Sequence, residues 1–256
     1  MRKAIVAILF LSVFFGIPCL RAEETITVRA DTWMPYNGDP ASDRPGYCIE
    51  LIKAIFEPAG IKIDYQVIPW TQALAEVQAN KIDAIIGTSP SECTTCLFPW
   101  EAAGPNQNSY YIKKGNPWIF NGLNSLRNKH LGVIEGYFYD DGPLDKYITD
   151  FGAPQVQKSA GDNALEHNLK ELEAGRLDVI VENDLVIREA LRSLGLAPDS
   201  VVPVGQAKTQ NIFLGFAPGK DRSKTYLNLW DRGIKNLRAS GKLKEILARY
   251  NVPDWA

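Results

Sequence analysis

The chain of 256 residues carries 28 basic and 30 acidic side chains, with 45% hydrophobic and 10% aromatic residues and no low-complexity tract. Such a make-up builds one or two globular domains with a sizeable core, and excludes a disordered or fibrous chain. The acidic balance argues against nucleic acid or an anionic membrane as partner.

Arg2 and Lys3 precede the apolar run Ala4 to Phe15, and Leu20-Arg-Ala22 offers a small-residue cleavage position before Glu23. This is the pattern of a secretory signal peptide over residues 1–22, which places the mature chain in the periplasm with no membrane insertion. An uncleaved anchor is the alternative, but the run is too short to span a bilayer and no later stretch approaches about 20 apolar residues. Cys19 follows Pro18 and lacks the small-residue context of a lipid-attachment cysteine. Cleavage removes Arg2, Lys3 and Arg21, leaving 25 basic against 30 acidic residues and a net charge near −5.

Ile26 to Ala30 reads as a first strand, running into a loop marked by Pro35 and Asn37-Gly38. A helical pattern follows from Ile49 to Ala59, with apolar residues at Ile49, Ile52, Ile55 and Phe56 and a stop at Pro58 and Gly60. Ile61 to Ile68 alternates like a strand, Trp70 to Ala79 reads as a helix, and Ile82 to Ile86 as the next strand. Strand, helix, strand, helix, strand in that order implies a parallel sheet with right-handed crossovers. Residues 97–118 are loop-rich, with Tyr110 to Lys113 as a crossing strand.

A second unit has a strand at Leu131 to Gly136, helices near Leu144 to Ile148 and across Ala164 to Ala174, and a strand at Asp178 to Val181. Asn211 to Phe216 is apolar enough to cross back, and helices at Lys224 to Ala239 and Leu243 to Tyr250 close the chain. The two units share a repeat. Val77-Gln-Ala-Asn-Lys-Ile-Asp83-Ala-Ile-Ile-Gly87 and Leu172-Glu-Ala-Gly-Arg-Leu-Asp178-Val-Ile-Val-Glu182 lie 95 residues apart. Each reads as a helix end, a residue suited to a left-handed cap, a cation facing the helix dipole, an Asp, and a strand covered on both faces. Two similar α/β lobes around a shared cleft follow, and crossing strands between them would bend as a hinge.

Three cysteines remain after cleavage. Cys93-Thr-Thr-Cys96 suits a local disulfide that pins a loop in an oxidising compartment. A redox-active pair is the other reading, and the helix start and thioredoxin-like pattern it requires are missing. His130 and His167 lie elsewhere and no four-ligand spacing occurs, so neither a metal nor a cofactor is expected. Cys48 is left as a buried thiol.

Six motifs in order carry a resemblance. They are Trp33-Met-Pro-Tyr36, Gly46-Tyr-Cys-Ile-Glu-Leu51, Val67-Ile-Pro-Trp70, Lys81-Ile-Asp-Ala-Ile-Ile-Gly87, Leu131-Gly-Val-Ile-Glu-Gly136 and Gly175-Arg-Leu-Asp-Val-Ile-Val181. Together they resemble the bacterial extracellular solute-binding proteins of family 3 over essentially the whole mature chain. The resemblance implies a type II periplasmic binding protein fold, with two α/β lobes of mostly parallel sheet flanked by helices and joined by two hinge strands. Residues 23–112 plus 213–256 would form lobe one and residues 113–212 lobe two. It also implies a monomer that closes on a small-molecule ligand, with an ABC permease or a sensor receptor as partner.

Against that family the chain departs at two places. Amino-acid binders carry an Arg for the ligand carboxylate shortly after the stretch matching Ile85 to Ser89. Here Ser89-Pro-Ser-Glu-Cys-Thr-Thr-Cys96 has none, and no Arg or Lys occurs until Lys113. The Asp that receives the ligand ammonium corresponds to Asn183, flanked by Glu182 and Asp184. Losing a buried charged partner costs about 2–5 kcal/mol, so a standard α-amino acid is not the expected ligand.

Candidate ligand contacts are Trp33 and Tyr36 in the loop after the first strand, Trp70 at a helix start, and Gly87, Thr88 and Ser89 after the repeat strand. Trp100 with Glu101, Gly136 with Tyr137 and Tyr139, and Glu182 with Asn183 complete the set. For each the alternative is packing, capping or a solvated loop. Aromatic rings beside acids would suit a cationic or ring-bearing ligand. A rival function is a periplasmic dehydratase acting on ring carboxylic acids, of the cyclohexadienyl dehydratase kind, with Glu135 or Glu182 as general acid. A ligand-sensing accessory protein is a third.

Overall fold

The structure, a computed structural model, describes residues 24–140 and 142–255. The proposed signal peptide lies outside the described residues. The first half runs β1 (Glu24–Ala30), α1 (Tyr47–Phe56), β2 (Ile61–Val67), α2 (Trp70–Gln78), β3 (Ala84–Thr88), β4 (Gly104–Asn106) and β5 (Asn108–Lys113). Then follow β6 (Leu131–Ile134), α3 (Pro143–Asp150), β7 (Val156–Ser159), α4 (Ala164–Glu173), β8 (Val179–Asn183) and α5 (Asp184–Ser193). The chain ends in β9 (Val201–Gln206), β10 (Gln210–Phe216), α6 (Ser223–Ala239) and α7 (Lys242–Ala248).

Two sheets result, ordered β2-β1-β3-β10-β4 and β7-β6-β8-β5-β9. In the first, β1 runs parallel to β2 and β3; in the second, β6 runs parallel to β7 and β8. The strands that follow each crossing between the sheets, β5 and β10, pair antiparallel with their neighbours. All five residues of β8 are covered, so that strand is buried on both faces, while Ile26, Val28 and Ala30 bury one face of β1. α1 presents Ile52, Ile55 and Phe56 to Tyr226, Trp230 and Ile234 of α6 in the core of the first sheet. Each such side chain contributes about 1.5–3 kcal/mol on burial.

The repeat has a structural meaning. Asn80 and Gly175 take left-handed conformations, with φ of 59° and 71°, where each turn leads from helix to strand. One residue before β3, Asp83 accepts hydrogen bonds from the Thr27 amide at 2.8 Å and its hydroxyl at 2.7 Å, and so holds β3 to β1. One residue before β8, Asp178 accepts from the His130 amide at 2.7 Å, beside the start of β6. The same aspartate performs the same local task in both units.

The expected boundaries at 112/113 and 212/213 fall inside strands and are corrected by the pairing. β5 belongs wholly to the second sheet and β10 wholly to the first. The chain therefore crosses at Gln107 and again at 207–209. The crossings are tied together: the Ala207 amide donates to the Asn108 carbonyl at 2.9 Å, and Gln107 Nε2 donates to the Asn108 and Ala207 carbonyls at 3.0 and 3.3 Å.

Candidate ligand-binding cleft

In open α/β sheets the loops after the strand carboxyl ends form the crevice. Here the loops after β1 and β2 meet those after β6, β7 and β8. They line a cleft of about 100 Å³ that opens to solvent. A second, smaller space of about 30 Å³ adjoins it and shares Asp31, Trp33, Trp70 and Tyr137 as walls.

Trp33 organises the centre. Its ring stacks on Tyr36 at 4.1 Å and meets Tyr137 edge-on at 6.5 Å. Its indole N–H donates across the cleft to Glu182 Oε1 at 3.2 Å. That oxygen also accepts from the Asn183 amide at 2.8 Å. Glu182 Oε2, by contrast, is buried without a hydrogen-bond partner. Glu182 is 1% exposed, and burial pushes its carboxyl up to about 7. Asp31, half-buried at the end of β1, accepts from the Tyr137 hydroxyl; burial raises it to about 6. Glu92 accepts from Trp70 Nε1 at 2.8 Å and the Thr88 hydroxyl at 3.0 Å, and burial raises it to about 7. Among the described residues no Lys, Arg or His lines either space.

Of the residues expected at the site, Trp33, Trp70, Gly87, Tyr137 and Glu182 line it. Tyr36 and Asn183 stand behind the wall. The Tyr36 hydroxyl donates to the Pro105 carbonyl at 2.5 Å and accepts from Asn183 Nδ2 at 3.0 Å. Asn183 Nδ2 also donates to Asn106 Oδ1 at 2.8 Å, while its Oδ1 caps α5 through the Leu185 and Val186 amides. Tyr139 is buried in the core of the second sheet, its hydroxyl accepting from the Ile134 amide. Gly136 sits at the rim, where a Cβ would fall 2.6 Å from Thr71 Cγ2, so only glycine permits that approach to α2. Thr88 and Ser89 turn toward Glu92 and Ser91 instead of a ligand.

Trp100 does not join the cleft. It is 91% exposed, because the neighbouring Glu101 is drawn against α6 by Asp231 at 2.9 Å and Trp230 at 2.9 Å. The expectation for Trp100 is thereby corrected. Glu135 lines the mouth but is exposed. Sequence reasoning did not select Asp31 or Glu92. Asp31 directly follows the first strand, and Glu92 lies in the stretch noted only for its missing arginine.

Cys93 and Cys96 form the expected disulfide, with Cα atoms 5.4 Å apart, and Cys48 is a buried free thiol. The bridge directly follows Glu92. No helix among the described residues is long and apolar enough to cross a membrane.

A two-sheet α/β molecule with a walled cleft between the sheets is the architecture of a solute receptor. The chain belongs to the bacterial extracellular solute-binding proteins, family 3, whose pattern it matches over residues 26–253. It is 19% identical over 219 residues to the arginine-binding extracellular protein ArtP of Bacillus subtilis (strain 168), covering 85% of this chain and 82% of that protein. A histidine kinase sensor domain with similarity to periplasmic binding proteins matches with a TM-score of 0.73 at 21% identity, over 90% of this chain and 97% of its own. An ABC uptake transporter substrate-binding protein from Streptococcus pneumoniae with bound histidine gives 0.71 at 21% identity, over 88% and 92%. The fold is that of the type II periplasmic binding proteins, as in the ancestral arginine-binding protein bound to glutamine.

Proposed function

We propose that the exported protein captures a small polar solute between two hinged lobes and presents it to an ABC importer. The observation that carries this reading is the set of contacts made across the cleft: Trp33 to Glu182, Tyr137 to Asp31, and Asn183 to Tyr36 and Asn106. They hold a closed state around the ligand space, and a solute that adds contacts there shifts the hinge toward closure. Among the relatives named above, one is an arginine-binding protein, one holds bound histidine and one holds glutamine. This cleft has no cation among its lining residues to hold an α-carboxylate, so standard α-amino acids bind weakly. Native mass spectrometry of the purified mature protein tests the reading by the mass it carries. Compaction in small-angle scattering on adding that compound tests closure. A protein that carries and accepts no small solute refutes it.

A second reading has one observation behind it. Burial places the Glu182 carboxyl near 7, where it can donate a proton at neutral pH. Turnover of a ring carboxylic acid, abolished in Glu182→Gln, would establish an enzyme. Recovery of the ligand unchanged supports the receptor.

A further inference from the structure

Resting on the receptor reading, we propose that the cleft takes an organic cation that carries no carboxylate. Its positive group sits against Glu182 Oε2 and Asp31, between the rings of Trp33, Trp70 and Tyr137. Three independent features of the cleft lead there.

The first is an unmet bond. Glu182 lines the space, is 1% exposed, and leaves Oε2 without a partner. A buried carboxylate oxygen with no donor is expensive to maintain, and none of the described residues supplies one. An ammonium or guanidinium N–H from the ligand completes it with a charge-assisted bond. The groups around Glu182 are Trp33, Asn183 and Asp31, all neutral or acidic.

The second is the wall chemistry. Trp33, Trp70 and Tyr137 bound both spaces, and indole and phenol faces attract cations once water is excluded. Glu182 holds the Trp33 ring in place through its N–H, and Glu92 does the same for Trp70.

The third is what the cleft repels. Asp31, Glu135, Asp162 and Glu182 line the larger space and Glu92 the smaller one. Glu92 stands in the loop pinned by the Cys93–Cys96 bridge, so it cannot easily swing away. A zwitterion would bring its own carboxylate among these groups with nothing to neutralise it, and like charges at such range are repelled. Burial raises Asp31 to about 6 and Glu92 and Glu182 to about 7, so all three carry most of their charge at pH 7.5, and an arriving cation completes their ionisation.

The test compares matched pairs that differ only by the carboxylate: arginine with agmatine, lysine with cadaverine, and histidine with histamine. Tetramethylammonium, acetate and glycerol serve as charge controls. Binding is followed by calorimetry and tryptophan fluorescence at pH 7.5. At least one decarboxylated member binds tenfold or more tightly than its parent amino acid, and Glu182→Gln weakens that binding at least tenfold. Asp31→Asn provides a second variant should the first fail to fold. If the amino acids bind more tightly than their amines, or if none of the cations binds, the proposal is overturned. In those cases a different solute found on the purified protein by mass leaves the receptor reading standing; finding no solute of any charge removes both.

Discussion

Replacing Glu182 by Gln separates the demands of folding from those of binding. The amide oxygen can keep both bonds now made by Oε1, from the Trp33 indole at 3.2 Å and the Asn183 amide at 2.8 Å. What changes is the unpartnered oxygen, which becomes an uncharged amide NH2. The carboxyl is raised from 4.5 to about 7 in the folded protein. Its folded value lies above its unfolded one, so the folded state holds more protons between those limits. Stability therefore falls as pH rises through that window, and the penalty is complete above about 7. At 1.36 kcal/mol per unit, the ceiling is about 3 kcal/mol at pH 8 and below about 1 kcal/mol at pH 5. Glu182→Gln should thus stabilise the unliganded protein by about 1–3 kcal/mol at pH 8 and barely at pH 5. At about 2–4 °C per kcal/mol, the melting midpoint rises by several degrees at the higher pH alone. Urea melts at both values read this directly. Equal destabilisation at both would refute the reasoning, because it would mean that the carboxylate is satisfied in the folded state.

Asn183→Ala removes the α5 cap and the bonds to Tyr36 and Asn106, leaving Asn106 Oδ1 buried without its Asn183 donor. A loss of about 2–4 kcal/mol is expected from cap and unpaired acceptor together, with a more open average shape in small-angle scattering. Asp83→Ala deletes the acceptor for Thr27, Arg222 and Lys220. Arg222 and Lys220 are partly exposed and stay hydrated, so the loss is that of the Thr27 bonds and screened ion pairs, about 1–3 kcal/mol, measured by urea melts. Burial pushes the Asp83 carboxyl up, yet bonds from Thr27 and Lys220 and the Arg222 charge outweigh it and hold it below the ordinary range. Its contribution is accordingly present at neutral pH and lost as pH falls through the folded value. Asp83→Asn should therefore flatten the acid limb of the stability profile. The Cys93–Cys96 bridge spans a separation of three residues. Loop-closure entropy for so short a ring gives about 2 kcal/mol, so the double serine variant should melt a few degrees lower. A midpoint insensitive to reductant in the wild type would contradict that.

Much of the architecture was legible because the repeat combines signals that act at short range. A left-handed residue, an aspartate and an uninterrupted apolar run specify a helix-to-strand turn wherever they occur, and Asn80 and Gly175 bear this out. The missed elements lacked such markers. α5 starts directly on Asn183 with no glycine or proline between strand and helix. β9 contains Pro203, which reads as loop; it survives as a strand because it lies at the sheet edge, where a missing N–H is tolerated. The crossing points shifted because β5 and β10 owe their membership to pairing partners far away in sequence.

The site was legible in its rings and opaque in its charges. Trp33, Trp70 and Tyr137 follow strand ends or open a helix, and large rings there are few enough to be picked out singly. A carboxylate in a loop, in contrast, looks like any solvated acid until burial is known. Glu92 illustrates the difference. In sequence, the stretch from Ser89 to Cys96 shows an arginine missing; in three dimensions it shows an acid installed, held by Trp70 and Thr88 and braced by a disulfide. An absent cation lowers affinity for a carboxylate, whereas a buried acid in its neighbourhood opposes one. Three buried or half-buried acids around shared aromatic walls, with one oxygen lacking any donor, form a site whose missing component is positive charge. In such a site ligand affinity should rise with pH from about 5 to 8, because each carboxyl raised toward 7 must lose its proton before it can pair with a cation. A receptor whose affinity for its ligand fell over that range would be reading something other than a cation.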